Sequence, residues 1–95
     1  MREYWTHTAV EHLLAIYEHI AQDVPLYARR TIDRRTKRSE QIAAFPRSGR
    51  MVPEYEALDI REVIERSYRI ISRIKTDQIA ILAVVHGAQF LPPEL

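Results

Sequence analysis

The uninterrupted apolar run Ile79-Ala80-Ile81-Leu82-Ala83-Val84-Val85 narrows most what this chain can fold into. A strand with one wet face alternates apolar and polar residues, and this run does not. It is also far shorter than the roughly 20 residues a membrane helix needs. The remaining solution is a strand covered on both faces, near the centre of a sheet. Such a strand needs structural layers above and below it. With 95 residues, 46% of them hydrophobic, the chain can supply one domain with a thin stability margin.

The other segments provide those layers. Arg2 to Thr6, with Tyr4 and Trp5, reads as a first strand. Thr8 followed by Glu11 has the spacing of a helix-capping box. Val10, Leu13, Leu14, Tyr17, Ile20 and Ala21 then recur at helical spacing, leaving His12, Glu18 and Gln22 off the stripe. Asp23-Val24-Pro25 ends this helix and starts another, because proline suits a first helical turn. The second helix is expected to reach about Ala44. Its stripe is Leu26 or Tyr27, Ala28, Ile32, Ile42 and Ala43, closing with Phe45, and arginines interrupt its middle. Helices joined this tightly form an antiparallel hairpin.

Phe45 to Pro53 reads as a loop, and Glu54 to Asp59 is acidic and ambiguous. Ile60, Val63 and Ile64 mark one strand. Tyr68, Ile70, Ile71 and Ile74 mark the next, and Thr76-Asp77 turns into the apolar run. The segment from Gly87 to Leu95, with Pro92-Pro93, is not expected to be regular. The expected fold class is α+β: an N-terminal strand, an antiparallel helical hairpin, then a twisted antiparallel three-stranded meander over residues 1–95 as one domain.

Charge is unevenly placed. The net charge is only +1, yet residues 25–50 alone carry +6. Within Arg29 to Arg38, six of ten residues are basic. On a helix, Arg30, Arg34 and Lys37 or Arg38 share a ridge with Arg35 beside them. This ridge is either a solvated face or a surface for a polyanion or acidic protein. The sheet region adds Arg61, Arg66, Arg69 and Arg73. Arg61 and Arg69 are expected to project side by side, able to bind phosphate, or to wet the face and pair with Glu62 and Glu65.

Little else carries chemistry. His86 at the end of the apolar run has the residue type of a general acid or base, or of a structural hydrogen-bonding group. His12 and His19 are two turns apart and make no chelating pair, so no metal is expected. There is no glycine-rich phosphate loop, nucleophile elbow or HExxH, and no cofactor is expected. The chain has no cysteine, which excludes disulfides and thiolate metal sites and suits a reducing cytosol. Its N-terminus lacks the basic-then-apolar pattern of a signal peptide. The expectation is a cytoplasmic protein without membrane association.

Several strings, in order, resemble the ParE/RelE superfamily of bacterial toxins. They are Ile20-Ala21-Gln22-Asp23-Val24-Pro25, Ala28 with Ile32-Asp33, and Phe45-Pro46-Arg47-Ser48-Gly49-Arg50 with Val52-Pro53-Glu54. Ile60-Arg61-Glu62, Tyr68-Arg69-Ile70, and Ile79 through His86-Gly87-Ala88 complete the set. The resemblance implies the toxin of a type II toxin–antitoxin pair, of the kind tied to plasmid stabilization. A cognate antitoxin neutralises such a toxin and alone brings the complex to operator DNA.

The superfamily divides by target. ParE-like members inhibit DNA gyrase without known nuclease chemistry, and RelE-like members cut mRNA on the ribosome. The long hairpin and the loop from Phe45 to Glu54 resemble the ParE side. The lysines of the nuclease members are missing from Tyr55-Glu56-Ala57-Leu58-Asp59, and Phe90 offers no hydroxyl where their tyrosine stands. Gln89 replaces an arginine common among relatives. The leading expectation is a non-enzymatic gyrase inhibitor. The alternative is a ribosome-dependent endonuclease using Arg69 and His86, with Glu54 or Glu56 as carboxylate. A third reading is an inactive relative that only binds antitoxin. Arg30, Arg34, Arg38 and Arg61 are expected to bind the antitoxin or the target, with acidic antitoxin residues meeting Arg30, Arg34 and Arg38.

Overall fold

The computed structural model describes residues 2–22, 24–55, 57–87 and 91. The elements are β1 (Arg2–Trp5), α1 (His7–Ala21), α2 (Pro25–Ala44), β2 (Arg50–Met51), β3 (Ile60–Glu65), β4 (Tyr68–Ile74) and β5 (Gln78–His86). The expected class and element order hold, with β2 as an addition inside the expected loop. Among the described residues the strands form one sheet in the order β1-β5-β4-β3-β2. β1 runs parallel to β5, from Arg2 opposite Gln78 to Trp5 opposite Ile81. The other pairings are antiparallel. The apolar run therefore lies between β1 and β4, and Ile79 to Val85 are buried.

Both faces of β5 are covered, as its composition requires. One face packs Ile79, Ile81, Ile70 and Val63 against Ala9 of α1 and Ile42 and Ala43 of α2. The opposite face packs Ala80, Leu82, Ala83 and Val85 with Ile60, Ile71, Val52 and Leu91. Leu82 and Ala83 are neighbours in sequence yet share that second core. Ile71 pairs with Ala83 while Ser72 pairs with Ile81, so Leu82 is the extra residue of a β-bulge. The bulge lets an unbroken apolar run fill both layers.

Helix packing departs from the expected stripes in three places. Thr6, not Thr8, caps α1: its hydroxyl accepts the Ala9 N–H at 3.2 Å. The same hydroxyl lies 3.1 and 3.2 Å from the carbonyls of Ile81 and Leu82. A residue at the strand-to-helix junction can cap and clamp at once, and Thr8, two residues further on within the first turn, cannot. Second, Val10, Leu14 and Tyr17 face solvent, at 40, 55 and 38% exposure. His12 points inward instead, and its Nδ1 accepts the Val84 N–H at 3.2 Å. The α1 helix crosses β5 beyond the end of β1, where strand backbone needs a partner that leucine cannot provide.

Third, α2 buries Ala28, Thr31, Arg35, Ser39, Ile42 and Ala43, while Leu26, Tyr27 and Phe45 are exposed. The inward positions recur at helical spacing but are polar in the middle, which is why a search for apolar residues misplaces the stripe. Ser39 satisfies its hydroxyl by donating to the Thr36 carbonyl at 2.7 Å. No helix among the described residues is long and apolar enough to cross a membrane.

Candidate functional site

On the sheet face away from the helices, Arg69 is held between two carboxylates. Its Nη1 and Nη2 donate to the two Glu54 oxygens at 2.7 and 2.8 Å. Its Nε donates to Glu62 Oε2 at 2.6 Å. The other Glu62 oxygen accepts Arg50 Nε at 2.5 Å. Strand alternation places Glu62 and Arg69 on this one face, because Ile64 opposes Arg69 and Glu62 opposes Ile71. Pairing is obligatory here: the Glu62 side chain is fully buried and that of Arg69 is 7% exposed. An isolated charge so placed would cost several kcal/mol.

The electrostatics follow from this geometry. The hydrogen-bonded Arg69 guanidinium holds the Glu54 carboxyl down to about 2, against an ordinary 4.5. Glu54 in turn raises the Arg69 pKa, outweighing the opposing effect of burial. Glu54 also accepts the Leu91 N–H at 3.2 Å, which ties Leu91 to this face. A carboxylate this acidic and doubly bonded is a permanent ion at neutral pH and holds no proton to exchange.

His86 belongs to the other face. Tyr68 opposes His86 in the β4–β5 register, and Arg69 opposes Val85. The Tyr68 and His86 rings meet edge-on at 5.8 Å and 78°. Neighbouring residues of a strand point to opposite sides. Arg69 and His86 are therefore separated by the sheet, and the structure does not bring them together. Glu54 reaches Arg69 as the sequence reading allowed. Glu56, Gln89 and Phe90 lie outside the described residues.

Arg61 and Arg69, expected side by side, also lie on opposite faces. Arg61 is an odd-numbered neighbour of Val63 on the helix side, and its guanidinium donates to the carbonyls of Leu58 (3.1 Å) and Gly49 (3.4 Å). It anchors the loop between β2 and β3. In α2, Arg30 is exposed, and Arg38 donates to Gln41 Oε1 at 2.6 Å. Arg34 stacks over the Tyr27 ring at 5.8 Å. Arg35 lies buried with its guanidinium 4.4 Å from the Tyr68 ring.

A cavity of about 380 Å³ opens among Arg34, Arg35, Arg66, Tyr68 and His86. A second, of about 330 Å³, follows α1 past His12 and His19 to Val84 and shares Tyr68 and His86. A larger cavity, about 650 Å³, lies between Phe45-Pro46-Arg47 and Ile74-Lys75, away from these groups. Among the described residues no cluster of three histidines or carboxylates can hold a metal ion.

Sequence reasoning placed Glu62 and Arg35 only as surface charges. Glu62 lies two residues after the buried Ile60, on the same face of the strand. Arg35 falls seven residues after Ala28 and seven before Ile42, on the inward stripe of α2. Both signals were present and were hidden by residue type.

No curated protein matches the chain significantly. Among solved structures it is similar to one described as the chromosomal ParDE TA system from P. aeruginosa, with a TM-score of 0.77 and 25% identity. That match covers 90% of this chain and 95% of the other. The sequence profile of the ParE toxin of type II toxin-antitoxin system, parDE, matches residues 4–90. With nearly its whole length matched, the chain belongs to the ParE toxin family of type II toxin–antitoxin systems.

Proposed function

We propose that this toxin acts in the bacterial cytoplasm by inhibiting DNA gyrase through protein contacts, and that a cognate antitoxin neutralises it. The observation carrying this reading is the state of Arg69. An arginine that stabilises a cleaving phosphate must offer donors to it. Here Nε, Nη1 and Nη2 all bond Glu54 or Glu62. His86, on the opposite face, cannot act on the same phosphate. Glu54, fixed as an anion by Arg69, is a poor proton carrier near neutral pH. The residues of the nuclease alternative thus support the fold, and a non-enzymatic mode of action fits them better.

The antitoxin seat follows from what the hairpin leaves unburied. Val10, Leu14 and Tyr17 form a stripe at i, i+4 and i+7 on α1, and Leu26 and Tyr27 extend the exposed apolar area on α2. Arg30 lies beyond it on the same helix. An amphipathic, acidic antitoxin segment matches this combination. Past Trp5, no strand among the described residues pairs with the outer edge of β5; His12 takes the Val84 N–H there, and the strand end beyond Val84 offers a second attachment line.

The test is a gyrase supercoiling assay run beside in vitro translation with the purified toxin. Inhibited supercoiling with intact mRNA is the expected result. Cleaved mRNA with normal supercoiling would refute the proposal.

A further inference from the structure

The two cavities that share Tyr68 and His86 form one groove where α1, α2 and the end of β5 converge. Its deeper half is basic, and no carboxylate among the described residues pairs directly with Arg34 or Arg35 there. Arg35 is 1% exposed, yet its Nε has no hydrogen-bond partner among the described residues. Its Nη1 reaches only the Thr31 carbonyl, at a long 3.4 Å. Arg34 Nη1 is likewise buried and unpartnered. Glu65 raises the Arg35 pKa through its field but makes no ion pair, and burial lowers it more strongly. Buried guanidinium donors ordinarily find acceptors, because leaving them unmade is costly. Arg66, at the mouth, holds φ 56°, as the two-residue hairpin turn between Glu65 and Tyr68 requires.

We propose that this pocket receives the carboxylate of an acidic side chain, carried by a partner polypeptide that runs along the outer edge of β5. The inference rests on the antitoxin reading above, since the antitoxin is the partner it assigns to this edge. A planar carboxylate matches the guanidinium fork and supplies the acceptors that Arg34 and Arg35 lack. The other half of the groove favours polypeptide over nucleic acid. It is lined by Ile16, Val84 and Val85 and runs beside strand backbone, which suits side chains and main-chain hydrogen bonds. The α1 helix along it carries Glu11 and Glu18 and no lysine or arginine. Neither cavity half is lined by a lysine or arginine outside Arg34, Arg35 and Arg66, which leaves no basic track for a continuous phosphate backbone.

The test follows the Arg35 Nε–Hε resonance by NMR while N-acetyl-Val-Glu-Val-amide, its glutamine counterpart or oligothymidylate is added. The glutamate peptide is expected to shift the resonance and the glutamine peptide to leave it unchanged. Arg34→Gln and Arg66→Asn should each weaken peptide binding about tenfold or more. Arg66→Asn should melt no lower than the wild type, since asparagine accepts the left-handed conformation. Equal shifts from both peptides, displacement by oligothymidylate, or no shift at all would overturn the proposal.

The same variants are then titrated with the cognate antitoxin. A comparable loss of affinity is expected. Unchanged affinity would overturn the pocket assignment and leave the antitoxin partnership standing. Failure of the wild type to bind antitoxin would sink the partnership instead, and the peptide arm would then decide the pocket.

Discussion

Replacing Arg69 by alanine separates a structural arginine from one that serves RNA cleavage. The Glu62 side chain is fully buried and would keep only Arg50, whose own side chain is 65% exposed. Glu54 would lose both bonds of its bidentate pair. Removing one partner of a buried ion pair costs about 3–5 kcal/mol. For a domain of this size each kcal/mol lowers Tm by about 4–8 °C, so Arg69→Ala should melt at least about 12 °C lower. The pH dependence gives an independent reading. Glu54 has a folded pKa of about 2 against 4.5, so its stabilisation is complete above about 4.5 and is lost as pH falls toward 2. That shift corresponds to about 3 kcal/mol. In Glu54→Gln this acid-dependent loss should disappear from the stability profile. Circular dichroism melts and urea titrations between neutral pH and pH 2 measure both effects. An Arg69→Ala protein that melts within a few degrees of wild type and has lost toxicity would refute the reasoning and return Arg69 to an active site.

Three further outcomes follow from the fold. Gly49→Ala should destabilise the toxin by about 1–3 kcal/mol in a urea titration, because the new Cβ would sit 2.6 Å from the Glu62 carbonyl oxygen. Thr6→Ala should cost about 1 kcal/mol or more, since it removes the α1 cap and the clamp on β5 together; Thr8→Ala, measured beside it, should be nearly neutral. Charge reversal of Arg30 and Arg38 should slow antitoxin association chiefly at low salt, whereas Leu14→Ala should speed dissociation at any salt; stopped-flow kinetics at two ionic strengths distinguish them.

Much of the architecture was legible from the sequence. Ile79 to Val85 announced a doubly covered strand, and Pro25 marked the first turn of α2. These signals are strong because they rest on backbone and solvent physics that tertiary context seldom reverses. The capping threonine was misplaced because Thr6 and Thr8 both precede apolar residues, and only the contact with β5 distinguishes them. The helix stripes were misread because His12, Thr31, Arg35 and Ser39 occupy inward positions that apolar periodicity assigns to other residues. The ion lattice was half visible. Glu54 was placed near Arg69, but the burial of Glu62 needed the register of β3 on β4, which sets it on the face where Arg69 and Arg50 meet it. Sequence spacing cannot say which face a strand shows to which layer, so Arg61, Arg69 and His86 were grouped although the sheet divides them.

The parallel pairing of β1 with β5 also sets a schedule for synthesis. Thr6 reaches Leu82 across a separation of 76 residues, and every hydrogen bond between β1 and the sheet waits for β5. Both hydrophobic layers need that strand as well. At roughly 5–20 residues per second, the ribosome takes about 4–15 s to make the first 77 residues before β5 begins to follow. During that interval α1 and α2 lack the central strand they pack on, and their stripes are incompletely covered. Closing so distant a contact is intrinsically slow. Until β5 is made, neither hydrophobic layer is complete, and the nascent toxin cannot present its finished surface to a target.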